Sequence, residues 1–111
     1  MARPTKLTPK VHRRLVGLTK AGVFLKESAT FAGVTRPTVY SWIRRGEAEE
    51  TRQDDGEPPN EAEEPYVEFA QQMRQARAQA NVMDMMVIRR AAATDPKWAL
   101  RSLKLRNPEW F

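Results

Sequence analysis

The sequence predicts an all-α protein in three parts: an N-terminal helix-turn-helix head over residues 1–46, an acidic linker over 47–64, and a C-terminal helical hairpin or oligomerisation region over 65–111. Three observations carry this expectation. Apolar residues recur at spacings of three and four along most of the chain, the period of helices with one buried face. Threonine or aspartate stands just ahead of proline at Thr8-Pro9, Thr35-Arg36-Pro37 and Asp95-Pro96. Helices start this way, because the side-chain oxygen accepts an early amide hydrogen and proline loses no helical bond in the first turn. Charge, finally, is segregated into blocks that coincide with the three parts.

The first predicted helix begins at Thr8 and Pro9, carries Val11, Leu15 and Leu18 as one apolar stripe, and stops at Gly22. The second runs from about Phe24 to Ala32 and buries Leu25, Ala29 and Ala32. Gly33 supplies a left-handed residue for a sharp turn, and Thr35 caps a third helix whose inward face holds Val39, Trp42 and Ile43. The stretch TRQDDGEPPNEAEEP has a glycine, adjacent prolines and no apolar period, so it reads as a mobile linker. From Tyr66 a long helix places Tyr66, Phe69, Met73, Ala76, Ala80, Met83 and Val87 at alternating spacings of three and four, a heptad seam that Arg90 ends. A lone helix cannot bury that seam, so it must pack on the final helix, on other subunits, or on both. Asp95 and Pro96 open that final helix, in which Trp98, Leu100, Leu103 and Leu105 precede NPEWF.

The net charge of +5 over 111 residues conceals the segregation. Residues 1–46 hold ten Lys and Arg against Glu27 alone, a net +9; residues 47–64 hold nine acids against Arg52, a net −8; the remainder is +4. That is the pattern of a polyanion-binding head, an acidic connector and a separate tail. So small a chain buries little surface, which makes an oligomer the expectation. With no long apolar run there is neither a membrane span nor a signal peptide in the sequence, and a cytoplasmic protein is expected. With no cysteine, thiolate metal sites and disulfides are excluded. The single histidine, His12, lies beside Arg13 and Arg14 and is read as exposed or touching phosphate. No nucleotide-binding glycine loop is present, and the linker acids lack ordered spacing, so neither catalysis nor a metal or cofactor is expected. Met83, Met85 and Met86 read as core or interface filling, and Trp98 and Trp110 as anchors for a partner or a neighbouring subunit.

Two helices crossing at a tight turn need a small residue at their closest approach, a glycine in the turn, and large apolar residues on the second helix. Ala29, Gly33, Val34, Val39 and Trp42 meet those needs in order, which is the helix-turn-helix pattern. In the third helix Arg36, Thr38, Ser41, Arg44 and Arg45 are expected away from the Val39 and Trp42 side, facing a DNA major groove together. Arg36 is the base-reading candidate, while Arg44 and Arg45 grip phosphate. An arm with Arg3, Lys6 and Lys10 is expected to be flexible and to contact the backbone or a minor groove. The alternative is a three-helix packing unit with a solvated basic face.

The opening RPTKLTP, the segment AGVFLKESATFAGVTRPTVYSWIRRGEAE, the helix PYVEFAQQMRQARAQA after an acidic stretch, and the ending WALRSLKLRNPEWF together resemble the small subunit of phage terminases. The resemblance implies a nonenzymatic protein of bacteriophage genome packaging in the host cytoplasm. It would recognise concatemeric double-stranded viral DNA and deliver it to the large terminase subunit, the ATPase and nuclease motor. It further implies that Thr35 through Arg45 read DNA, that Tyr66 through Ala93 form a homo-oligomer, commonly a ring, and that Lys97 through Phe111 dock the large subunit, with Trp98, Leu103, Trp110 and Phe111 as the docking residues. A helix-turn-helix transcriptional regulator or transposase-type DNA-binding protein, paired two-fold, is the alternative; a third is an assembly protein whose head binds no DNA.

Overall fold

The computed structural model describes residues 5–111. Its elements are α1 (Pro9–Lys20), α2 (Leu25–Ala32), α3 (Arg36–Asp54), α4 (Glu64–Ala92) and α5 (Pro96–Arg106), with single 3₁₀ turns at Glu61–Glu63 and Pro108–Trp110. No strand occurs among the described residues. Thr8 opens α1 by accepting from the Val11 amide at 3.2 Å, and Gly22 (φ 85°) turns the chain away after the helix ends. Gly33 closes α2 at φ 82°, with the Val34 amide donating to the Ala29 carbonyl at 2.9 Å. Thr35 then caps α3, accepting from Thr38 N, and Asp95 caps α5, accepting from Lys97 N at 3.0 Å.

The acidic stretch departs most from expectation. Residues 47–54 continue α3, Gly56 (φ 89°) reverses the chain, and the 3₁₀ turn feeds directly into α4. The segment is therefore a built connection between two packed helices and not a mobile linker. Three of its acids, Glu49, Glu50 and Glu63, have close hydrogen-bonded partners. Glu49 is only 2% exposed and accepts from the Asn60 amide at 2.8 Å, from Gln53 Nε2 at 3.0 Å and from Arg52. Glu50 takes Arg74 of α4 through two hydrogen bonds of 2.9 and 3.1 Å.

Gly46 explains how closely α3 and α4 approach. A Cβ added there would fall inside the backbone carbonyl of Tyr66 and 2.9 Å from the Cβ of Ala70. Behind this crossing, Tyr66, Phe69, Ala70, Met73 and Ala76 of α4 are buried with Leu7, Leu15, Val16, Ala29, Ala32, Val39 and Trp42. Phe69 is the hub: Trp42 meets it edge-on at 5.9 Å and His12 at 5.3 Å. Such aromatic pairs add roughly 0.5–1.5 kcal/mol beyond the area they bury. The division at residue 46 thus gives way to a four-helix unit in which the first half of α4 is a wall of the head. Around that core α2 and α4 each pack against both α1 and α3, while α1 and α3 come nowhere within 8 Å of each other, Cα to Cα.

Beyond Ala80, α4 leaves the core. Val82, Met83, Met85, Met86, Val87 and Ile88 are all exposed, and α5 packs on the end of α4 after the connection Ala93–Asp95. A helix of 29 residues is about 44 Å long at 1.5 Å per residue. The molecule is accordingly elongated, 61 × 36 × 18 Å. Among the described residues, no helix is long and apolar enough to cross a membrane.

Candidate nucleic-acid interface

Burying Val39, Trp42 and Gly46 of α3 leaves Pro37, Ser41, Arg44 and Ala48 exposed at spacings of four, three and four, one outward face of a helix with 3.6 residues per turn. Arg36 is exposed in the first turn, beside this face. None of Arg36, Ser41 or Arg44 has a side-chain hydrogen bond or ion pair with another described residue, so their donors are available to an external acceptor. Thr35 and Thr38 are occupied locally: their hydroxyls bond to each other at 2.9 Å and Thr38 is half-buried.

Arg45 does not belong to the open face. One residue on from Arg44 it turns about 100° around the helix, toward the 3₁₀ turn that precedes α4. There its guanidinium donates twice to Glu63, Nε to Oε2 at 2.6 Å and Nη2 to Oε1 at 2.8 Å, and lies 4.0 Å over the ring of Tyr66. The Glu63 hydrogen bond holds its pKa above the ordinary arginine value. The predicted phosphate role for Arg45 is replaced by a structural one, because a bidentate pair satisfies the donors a phosphate would use.

The predicted basic arm is also reorganised. Arg3 lies outside the described residues. From Thr5 onward the segment is held: Leu7 is buried, and Thr5 Oγ1 bonds to the Tyr66 hydroxyl at 2.8 Å. Lys6 is exposed on this anchored segment and Lys10 in the first turn of α1. Lys10 stands on α1, which makes no contact with the α3 that carries Arg36, Ser41 and Arg44. His12, expected in solvent or on phosphate, is half-buried between α1 and α4, with Nε2 2.7 Å from Gln72 Oε1.

The predicted oligomerisation seam divides in two. Tyr66, Phe69, Met73 and Ala76 are core residues of the head and offer nothing to a neighbouring subunit; Ala80 is half-buried; Met83 and Val87 are exposed. The seam's period was right, but α1 and α3 of the same chain cover its first half. The predicted docking residues Trp98, Leu103, Trp110 and Phe111 are all exposed, with Arg101 set 5.1 Å from the Trp98 ring and Lys104 5.4 Å from that of Phe111.

Two features escaped the sequence reading. A groove of about 620 Å³ opens between the start of α2, α3 and α4, lined by Phe24, Tyr40, Ile43, Met73 and Arg77 among others. Phe24, at the predicted start of the second helix, stands 80% exposed at the mouth, just ahead of α2. Arg13, Arg14 and Lys20 are the other omission: all three are exposed on α1, and their spacing from Lys10 was the available signal.

Comparison with protein-family models, with curated proteins and with solved structures finds no match.

Proposed function

We propose that this chain is a nonenzymatic DNA-recognition protein of the phage terminase small-subunit type. In this reading α2, the turn at Gly33 and α3 act as a helix-turn-helix, and Arg36, Ser41 and Arg44 contact a duplex. The observation that carries the reading is the outward face of α3: its inward side is locked by Val39 and Trp42, and its exposed donors are free of internal partners. Arginine matches a guanine edge or a phosphate with two bonds, and serine suits phosphate or either base. The exposed apolar side chains of distal α4 and of α5 support a homo-oligomer, since Val82, Met83, Met85, Met86, Val87, Ile88 and the α5 leucines are left open in the single chain. On this reading the subunits form a ring and present Trp98, Leu103, Trp110 and Phe111 to a large terminase subunit.

The test is duplex binding by the full chain as a function of salt. Affinity is expected to fall linearly on a log–log scale, by about 0.9 per phosphate contact. Arg44→Ala is expected to reduce affinity for all duplexes, and Arg36→Ala to narrow the gap between cognate and unrelated DNA. Absence of binding at low salt overturns the reading. Native mass separates the subclasses: a mass above a tetramer accords with the ring, and a dimer favours the transcriptional-regulator alternative.

A further inference from the structure

A second cationic surface lies on α1. Lys10, Arg13, Arg14 and Lys20 are all exposed on α1, and their spacings of three, one and six set them along one side of the helix, opposite Leu15. The row spans about 15 Å at 1.5 Å per residue. No acid stands in the chain before Glu27, and none of the four cations forms an ion pair with a described residue. Arg45, Arg52 and Arg74, by contrast, are each tied to a glutamate. Glu49, Glu50 and Glu63 pair within the α3 and α4 connection, and no described acid pairs with the α1 cations. Arg14 is further steadied by Phe31 of α2, whose exposed ring lies 5.7 Å from the guanidinium.

The position of this row matters as much as its charge. Because α2 and α4 each pack on both α1 and α3, which make no contact with each other, α1 and α3 stand at opposite corners of the four-helix unit. A straight duplex seated on α3 therefore leaves the α1 row free. We infer that the outward face of α1 is a second phosphate-backbone site, so that one chain engages two separate DNA segments at once. The inference rests on the proposed DNA binding by α3 and extends it from recognition to bridging. Arginine-rich rows without base-reading geometry suit sequence-independent phosphate contact, so the second segment is held by charge alone.

The experiment is a capture assay with the full chain: a duplex fixed to a bead, protein added, and a labelled free duplex recovered. The wild type is expected to recover the second duplex at low salt and to release it as salt rises. The triple variant Arg13→Ala, Arg14→Ala, Lys20→Ala is expected to lose capture while binding a single short duplex within about twofold of wild type, since distant independent sites act additively. Unchanged native mass and helical signal in that variant exclude a folding or assembly defect. Capture that persists in the variant overturns the inference, because bridging then comes from several α3 faces in an oligomer. Loss of single-duplex binding also overturns it, because α1 then serves the same duplex as α3, and a drop in native mass overturns it by making α1 a subunit contact. If the wild type binds no duplex at all, the DNA reading itself falls, a result distinct from each of these.

Discussion

Gly46 of α3 lies directly against the backbone carbonyl of Tyr66 in α4, with no space for a side chain between them. The helix itself tolerates alanine better than glycine at an interior position, so local propensity favours Gly46→Ala while the crossing opposes it. The obstacle is backbone, which cannot swing aside as a side-chain tip can. The expected outcome is a net loss of about 1–3 kcal/mol from overpacking. Urea or thermal unfolding followed by helical circular dichroism measures it, and a more stable variant would show that α3 and α4 separate readily.

Acid should loosen the connection between α3 and α4. Hydrogen bonds from Gln53 and the Asn60 amide hold the Glu49 pKa below the ordinary carboxylate range, and the hydrogen bond from Arg74 does the same for Glu50. In the unfolded chain both titrate near about 4.3. The unfolded state therefore binds more protons as pH falls, and the stabilisation is complete above that value and lost as pH drops through the lower folded values. The urea midpoint is expected to decline below about pH 5, and the decline to be shallower in Glu49→Gln, Glu50→Gln. Parallel curves for the two proteins would remove these carboxylates as the cause.

A fragment ending at residue 46 is expected not to fold. It lacks Tyr66, Phe69, Ala70, Met73 and Ala76, five of the twelve buried apolar residues. Residues 1–81, which retain the whole core, are expected to show a cooperative melt. Within the full chain Trp42→Ala should cost roughly 3–5 kcal/mol, since it also empties the space beside Phe69. A cooperative transition in the short fragment would restore the division at residue 46.

Neighbouring arginines should behave oppositely. Arg44→Ala is expected to weaken duplex binding and leave the melting temperature unchanged. Arg45→Ala is expected to lower stability by about 1 kcal/mol, the scale of a half-exposed pair with an aromatic contact, and to leave DNA affinity nearly intact. Equal losses of affinity would return Arg45 to the DNA face.

Met83→Lys places a charge on the exposed part of α4, where Met83 is 55% exposed, and so should spare the fold of the head. If distal α4 is a subunit contact, native mass falls with no change in melting of the α1 to α4 core. Sedimentation of the variant beside wild type decides it, and an unchanged mass would place the contact elsewhere.

By itself the sequence determined the local events: the all-α character, Thr8, Thr35 and Asp95 as caps, Gly22 as the stop after the first helix, Gly33 as a left-handed turn, and the inward set Ala29, Val39 and Trp42. Each depends on residues within a few positions of one another, where stereochemistry and helical period suffice. Tertiary structure alone decided what met what. A heptad stripe states that a face must be covered but not by which surface, so Tyr66, Phe69, Met73 and Ala76 were legible as buried and not as part of the head. An acidic run looks wholly solvated until some of its carboxylates are matched to donors distant in the chain, as Glu50 is to Arg74 and Glu63 to Arg45. In the candidate site, Arg36, Ser41 and Arg44 were legible because one helix presents them, whereas the separation of Lys10 from them was not, because it depends on α4 standing between α1 and α3.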